Sequence, residues 1–107
     1  MYPHDSPIII PPGGGTFAYD GGVFNFSGLL LTVDIWTMAE LPNGSHVGPF
    51  RFIVDRNIGP YGGIFMYDLA QNVPGGAPPG RYKYIAYIGE YDTSVIDSTY
   101  FVFEKAE

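Results

Sequence analysis

The two histidines are the first candidates for chemistry, because His is the side chain whose ordinary pKa lies closest to neutral pH. His4 lies in the N-terminal segment, and His46 lies beside a turn. Neither is accompanied by a serine and an acid, or by paired carboxylates, at a spacing typical of catalysis. The pattern favours two solvated surface histidines over a general base or a metal ligand. We therefore predict no catalytic residue and no enzymatic activity.

Three carboxylates form the second candidate site, in the segment GEYDTSVIDS. A calcium ion takes about 6–8 oxygen ligands, commonly from clustered loop acids and carbonyls. The spacing of Glu90, Asp92 and Asp97 does not match an EF-hand loop, and a solvated loop is the favoured interpretation, with calcium as the alternative. The sequence thus predicts neither a bound metal nor a cofactor.

A glycine run near the N-terminus, in IIIPPGGGTF, has the composition of a phosphate-binding loop. No lysine follows it at the position that a nucleotide-binding loop requires, and the alternation in TFAYD predicts a strand rather than a helix. The run is therefore interpreted as a hinge after an apolar triplet. The triplet is Ile8, Ile9 and Ile10, and the hinge is Pro11, Pro12, Gly13, Gly14 and Gly15.

Several aromatic residues could form a platform on which sugar rings stack. The competing interpretation is packing within a β-sandwich, where a tryptophan on a middle strand is usually buried and Tyr82, two residues after PPG, resembles a tyrosine corner. The candidates for glycan stacking are Trp36, Tyr61, Tyr67, Tyr87 and Tyr91. Two further triplets, beginning at Asn25 and Asn43, match the N-glycosylation pattern and would accept glycans if the chain is exported.

The overall composition limits the class of protein that the chain can be. Its 107 residues predict one domain, and the formal charge of −6 argues against binding to nucleic acids or anionic membrane surfaces. The absence of cysteine excludes thiol chemistry and disulfides, and no apolar run approaches the length of a membrane span. With 15 Gly, 10 Pro and no long amphipathic stretch, the chain is predicted to be all-β.

About seven strands are predicted between the turn signals, which is typical of an Ig-like sandwich or a small barrel. In Leu29–Leu41 we expect Val33 and Ile35 on the core face and Asp34 in water. LPNGS predicts a hairpin turn, Gly21-Gly22 a bulge, and QNVPGGAPPG a long connector. The predicted strands are 8–10, 16–26, 29–41, 50–54, 64–69, 81–89 and 98–104.

Several longer motifs are similar to those of a known class of module. TVDIWTMAELPNGSHVGP and QNVPGGAPPGRYKYIAYIGEYDTSVIDSTYFVFEK resemble Ig-like or fibronectin-III-like β-sandwich modules of large secreted bacterial proteins. The resemblance covers roughly residues 8–105 and implies an exported, non-catalytic module with no catalytic residues. The chain departs from it in DGGVFNFSGLLL and RNIGPYGGIFMYDL, both of which add apolar surface.

The N-terminal triplet leaves two interpretations open. Residues 8–10 could form the first edge strand of their own sheet, or they could be an arm that completes the sheet of a neighbouring copy. We predict an arm and hinge over residues 1–15 and a sandwich over 16–107, with Ile8, Ile9 and Ile10 pairing between subunits. The predicted function is an extracellular, self-assembling structural subunit, and the alternative is a carbohydrate-binding or adhesion module.

Overall fold

The computed structural model describes all 107 residues and forms nine strands and no helix. No segment is therefore a helix of the length and hydrophobicity needed to cross a membrane. Each of the seven predicted strands corresponds to a strand of three or more residues, and two further strands have two residues each. The strands are β1 Tyr2–Pro3, β2 Ile8–Ile10, β3 Gly14–Phe24, β4 Leu31–Glu40, β5 His46–Val47, β6 Phe52–Ile58, β7 Gly63–Pro74, β8 Gly80–Glu90 and β9 Ser94–Lys105.

The strands form two sheets, which confirms the predicted all-β sandwich. One sheet has the order β1-β3-β7, and the other has the order β2-β9-β8-β4-β5, with β6 also paired to β4. All pairings are antiparallel except that of β2 with β9, which is parallel. The N-terminal strand β2 thus departs from the antiparallel pairing of all the other strands.

A β-bulge interrupts the pairing of β3 with β7. Tyr19 pairs with Leu69 and Gly21 pairs with Met66, so that Asp20 lies opposite two residues of β7. One of these two, Asp68, has a positive φ of 55°, and its backbone N–H donates to Asp20 Oδ1 at 2.9 Å. The bulge predicted at the glycine pair is confirmed, although the additional residue belongs to β7.

The other sheet contains a second bulge with the same kind of contact, a backbone N–H that donates to an aspartate carboxylate on the opposite strand. Asp34 of β4 lies opposite two residues of β6, and Asp55, with a φ of 51°, donates its backbone N–H to Asp34 Oδ1 at 2.9 Å. The backbone N–H of Tyr91 donates to Asp34 Oδ2 at 2.9 Å. Asp34 is only 7% exposed, so the prediction that it faces water is wrong. These two donors lower the pKa of Asp34, with the bond from Asp55 the larger cause.

The core between the sheets consists of two separate clusters. The larger one, here called the arm-side cluster, includes buried apolar side chains of β2 and of the C-terminal half of β9. The smaller one, the far cluster, consists of Val33, Ile35 and Ile58. The arm-side cluster comprises Ile8, Ile10, Phe17, Tyr19, Val73, Tyr82, Tyr84, Phe101 and Phe103.

One connection differs from its prediction, and two turns agree with theirs. The segment expected to be a long connector begins inside β7, because Gln71–Pro74 pair with the start of β3. The turn before β8 is therefore short, and there the Tyr82 hydroxyl donates to the Pro78 carbonyl, which confirms the predicted tyrosine corner. The Asn-Gly hairpin is also confirmed, with Leu41 N–H donating to Ser45 O at 2.7 Å.

Candidate functional site

The N-terminal arm, residues 1–10, contacts both sheets. Its first strand, β1, pairs with β3 through Tyr2 and Pro3, and its second strand, β2, pairs with β9. Ile8, Ile9 and Ile10 lie opposite the last three residues of β9. In the single chain the triplet therefore occupies an edge of its own sheet, and pairing with a neighbouring copy stays a prediction.

The side chains of β2 alternate between core and solvent. Ile8 and Ile10 are 6% and 2% exposed and belong to the arm-side cluster, whereas Ile9 is 61% exposed. Burial of two such aliphatic side chains contributes about 3–6 kcal/mol of transfer free energy. A three-residue strand at the edge of a sheet thus supplies a substantial part of the core from which the sandwich is built.

The connection from the arm to the body is shorter than predicted. Gly14 and Gly15 already belong to β3, where they pair with Pro74 and Val73, so that only residues 11–13 connect the strands. A Cβ atom at Gly14 would lie 2.7 Å from the Val73 carbonyl oxygen, and its φ is +96°. Gly14 is therefore required by its conformation and its close contact, rather than by hinge flexibility.

Two hydrogen bonds from the C-terminus fix the end of the arm. The Ala106 N–H donates to the Ile10 carbonyl at 2.8 Å, and the Lys105 ammonium donates to the Pro12 carbonyl at 2.9 Å. Lys105 is only 5% exposed. The dock of the arm, defined here as residues 103–106, therefore binds it through backbone pairing, a buried ammonium and apolar contact.

His4 connects β1 to the bulge of β3 and β7. Its Nε2 lies 2.8 Å from Asp20 Oδ1 and 3.6 Å from Asp68 Oδ1, so His4 is not simply solvated as predicted. The hydrogen bond with Asp20 raises the pKa of His4, and it lowers the pKa of Asp20. These three groups are the only set of acids and histidines close enough to share a cation, but they provide fewer ligands than calcium or structural zinc usually takes.

We expect the attachment of β1 to weaken as the pH rises. Since the pKa of folded His4 is raised, its contribution is fully present below its ordinary pKa of 6.5 and is lost as the pH rises through the folded value. Asp20, whose pKa is lowered, contributes above its ordinary value of 3.8. The His4 amide, which donates to Ala18 O, should lose about two- to fivefold of its hydrogen-exchange protection between pH 6 and 8.

The matched control for this titration is the variant His4→Gln, which retains a polar side chain without an ionisable group. Its protection at the same amide should not change with pH once intrinsic exchange rates are divided out. The Ala106 amide, which donates to Ile10 O, serves as a reference within the same molecule. Equal pH dependence in the wild type and the variant would contradict a role for His4 in fastening β1.

The predicted glycan-stacking residues do not form one platform. Trp36, Tyr87 and Tyr91 lie together on the outer face of the larger sheet, with ring centroids 5.4 Å apart for Trp36 and Tyr87 and 5.2 Å apart for Trp36 and Tyr91. Trp36 is only 5% exposed, so its faces are covered. Phe52, whose centroid is 4.5 Å from that of Tyr91, completes this outer aromatic cluster. Tyr61 and Tyr67 are exposed elsewhere, on a loop and on β7.

The two glycosylation candidates differ in accessibility. Asn25 is 3% exposed, and its Nδ2, the atom to which a glycan would attach, donates to the carbonyls of Leu29, Ile58 and Gly59. The prediction for Asn25 is therefore wrong, because its amide fixes two loops. Asn43 lies exposed in the hairpin turn, where its side-chain oxygen accepts from Ser45 N–H at 2.9 Å.

The remaining candidate residues stay apart. His46 lies 3.5 Å from Glu40 at the exposed β5 hairpin, and Glu90, Asp92 and Asp97 are not among the groups that could share a cation. Sequence reasoning also missed a cavity of about 310 Å³ between the two core clusters. The signal that could have indicated it was the glycine pair, since Gly21 lies on the inner face and a Cβ there would meet nothing within 4 Å.

Comparisons with known proteins identify no family for this chain. No protein-family model matches the chain, and no curated protein does. Among solved structures, the chain is similar to that of SSP-19, an MSP-domain protein like family member in Caenorhabditis elegans. The two chains are 9% identical, with a TM-score of 0.49 and 100% of each chain covered. At this level of similarity no function is transferred.

Proposed function

We propose that the chain is a non-enzymatic, extracellular structural module that polymerises by strand exchange, with the N-terminal arm of one copy occupying the dock of the next. The observation that supports this most is the position of β2. It supplies two core side chains from an edge of the sheet, yet its ladder is only three residues long and residues 11–13 alone connect it to β3. Such a strand can be donated by another copy with the same contacts.

The length of the connection determines how two copies would meet. An extended chain spans at most about 3.3–3.6 Å per residue, so Ile10 on a neighbouring dock would lie within about 14 Å of Gly14 in its own β3. The two copies would therefore abut at the end of the sandwich that carries the hinge. Because each copy would donate one arm and accept one, the contact is head-to-tail and generates a filament when it does not close into a ring.

Exposed apolar side chains are available for contacts between copies along such a filament. Only 15% of the residues are charged, and several large apolar side chains are exposed near the loops that differ from the secreted modules. Phe24 and Phe26 have ring centroids 5.0 Å apart, and Phe24 and Phe65 are 6.4 Å apart. An exposed aromatic cluster of this kind supports lateral packing between copies. The extracellular location is proposed from the resemblance of the motifs to secreted bacterial modules.

A series of hinge lengths tests the proposal. Deleting Gly13 shortens the tight turn between β2 and β3 and keeps the Pro12 carbonyl to which Lys105 donates, so β2 returns to its own β9 less readily and we expect filaments at lower protein concentration. Inserting four Gly or Ser residues after Gly13 lets β2 return to its own β9 more freely, so we expect mainly monomer. Negative-stain electron microscopy and size-exclusion chromatography of the untagged proteins measure both outcomes. An insertion of the same length after Gly76, in the exposed turn before β8, is the matched control.

The opposite dependence on hinge length, or none, would contradict strand exchange. If wild-type and all variants are monomeric at every concentration tested, the triplet is an ordinary edge strand. If all of them polymerise equally, the contact between copies does not involve the arm. In either case the fold is unaffected, and only the functional proposal is overturned.

Glycan binding is the second candidate, and one observation favours it. In the outer aromatic cluster Phe52 and Tyr91 remain 39% and 36% exposed, while Trp36 supports them from beneath. Flat aromatic surfaces of this kind can stack on the apolar faces of sugars. Retention on a glycan array that is lost in Phe52→Ala, but kept in the control Phe65→Ala on the other sheet, would support this function.

A further inference from the structure

The cavity between the two core clusters crosses four strands of the larger sheet, β9, β8, β4 and β6. Its lining includes Thr99 of β9, Ala86 of β8, Ile35 of β4 and Ile53 of β6. Adjacent strands are about 4.8 Å apart, so this row of four strands is about 14 Å long. The smaller sheet forms the opposite wall, where Gly21 contributes no side chain. The cavity is thus elongated across the strands and partly open to solvent.

Small residues on facing strands create this space. Gly21 and Ala86 lie in the lining at a level where larger neighbours, such as Tyr19 and Ile88, fill the sandwich on either side. The backbone of Gly21 does not have a positive φ, so the position does not require glycine for conformational reasons. An apolar cavity of about 150 Å³ already binds benzene. A cavity of about 310 Å³ therefore has room for a larger apolar ligand.

The two ends of the cavity have opposite charge. Asp97 and Ser98 of β9 line one end, and Arg51, directly before β6, lines the other. Arg51 forms no ion pair within the chain, although the chain has an excess of acids. Its backbone is fixed by two hydrogen bonds with Thr37, from Thr37 N–H to Arg51 O at 3.0 Å and from Arg51 N–H to Thr37 Oγ1 at 3.1 Å.

A buried polar network lies beside the Arg51 end. The Tyr84 hydroxyl has one proton and donates it to Gln71 Oε1 at 2.9 Å, since that oxygen can only accept, and it therefore accepts from Thr37 at 3.1 Å and from Tyr19 at 3.0 Å. Burial raises the pKa of Tyr84, and the charge of Arg51 opposes that rise.

We propose that this cavity binds a medium-chain aliphatic carboxylate, with the carboxylate on Arg51 and the alkyl chain along Ile35, Ala86 and Ile88. A linear chain fits the elongated space, an apolar lining matches its methylene groups, and the unpaired guanidinium provides the charge-assisted contact for its head. The acid at the opposite end, Asp97, fixes the orientation, because it repels a carboxylate placed there.

Decanoate and decanol are the probes for this site, measured by isothermal titration calorimetry on the full chain with ¹⁵N–¹H spectra to locate the shifts. We expect saturable binding of decanoate to the wild type below about 1 mM, with shifts at Ala86 and Ile88. Gly21→Leu should fill the cavity and weaken binding of both probes at least about tenfold. Gly76→Leu, at an exposed turn position where a Cβ meets nothing within 4 Å, is the matched control and should bind normally.

The head-group contact has its own test. Arg51→Gln should weaken decanoate about tenfold and leave decanol unchanged, because only the charged probe contacts the guanidinium. Equal loss for both probes, or none, would overturn the assignment of Arg51. If decanoate does not bind the wild type, or binds Gly21→Leu as well as it binds the wild type, the cavity site is overturned. Should Gly21→Leu fail to fold, Ala86→Leu fills the same space from the facing sheet.

Discussion

Removal of residues 1–10 is expected to unfold the sandwich at room temperature. The deletion removes Ile8 and Ile10 from the arm-side cluster and exposes the aromatic side chains against which they pack. Truncation of a buried aliphatic side chain costs about 2–5 kcal/mol, so the loss of two costs about 4–10 kcal/mol. A domain of this size has a total stability of about 5–15 kcal/mol. Circular dichroism and tyrosine fluorescence during urea titration measure the loss.

The same residues supplied as a separate peptide should restore the fold. A peptide of residues 1–12 contains both strands of the arm and the Pro12 carbonyl that accepts from Lys105. Restoration in trans would show that the dock accepts an arm that is not covalently continuous with β3, which is the physical requirement for exchange. The melting temperature of the mixture should rise with peptide concentration, since the peptide binds only the folded domain.

Two altered peptides separate specific docking from general hydrophobic binding. The peptide with Ile9→Ser should restore the fold nearly as well as the natural sequence, because Ile9 is 61% exposed. The peptide with Ile8→Ser and Ile10→Ser should fail, because it buries hydroxyls where the dock offers apolar contacts. A truncated domain that keeps its melting temperature, or equal rescue by the two altered peptides, would contradict this role of the arm.

The sequence predicts the strands well because their apolar residues alternate between clear turn signals. Val33 and Ile35 lie on the core face as their period of two requires, and the Asn-Gly turn forms the expected hairpin. The period identifies which side chains share a face, but it does not show what covers the other face. Asp34 was therefore assigned to solvent, whereas the bulge of β6 and the backbone of Tyr91 enclose its carboxylate.

The bulges themselves were only half predictable. The glycine pair indicated an irregularity in β3, but the additional residue belongs to β7, where Asp68 adopts a positive φ and bonds to Asp20. Nothing in the local pattern of MYDLA shows which strand will lie opposite it. The direction of β2 could not be predicted either. A triplet of isoleucines indicates an edge or core strand, but it does not show whether that strand pairs in parallel or antiparallel.

Among the functional candidates, residues whose role depends on local chemistry were predicted better than those that depend on distant contacts. The tyrosine corner follows from PPG and Tyr82, because both partners lie within one turn. The hydrogen bond from the Asn25 amide to Ile58 and the stacking of Tyr87 on Trp36 both depend on strands that are distant in sequence. The cavity depends on the small size of Gly21 and Ala86 on facing sheets, which becomes visible only when the sheets are placed together.

Disulfide trapping distinguishes an exchanged arm from a folded-back one most directly. Ile9 and Glu104 are opposite each other in the parallel pairing of β2 with β9, and both side chains are exposed. Neighbouring strands are about 4.8 Å apart, within the Cα separation of about 4.4–6.8 Å that a disulfide tolerates. The natural chain has no cysteine, so the double variant Ile9→Cys with Glu104→Cys contains only the two introduced thiols, and the single variants reveal any disulfide between two like positions.

Oxidation of the assembled double variant, followed by non-reducing denaturing electrophoresis, is the decisive measurement. Strand exchange predicts a ladder of covalent multimers that collapses to one band on reduction, while each single variant forms at most a dimer. A single monomer band with no remaining free thiol would show that every arm pairs with its own β9. That result would contradict polymerisation through the arm.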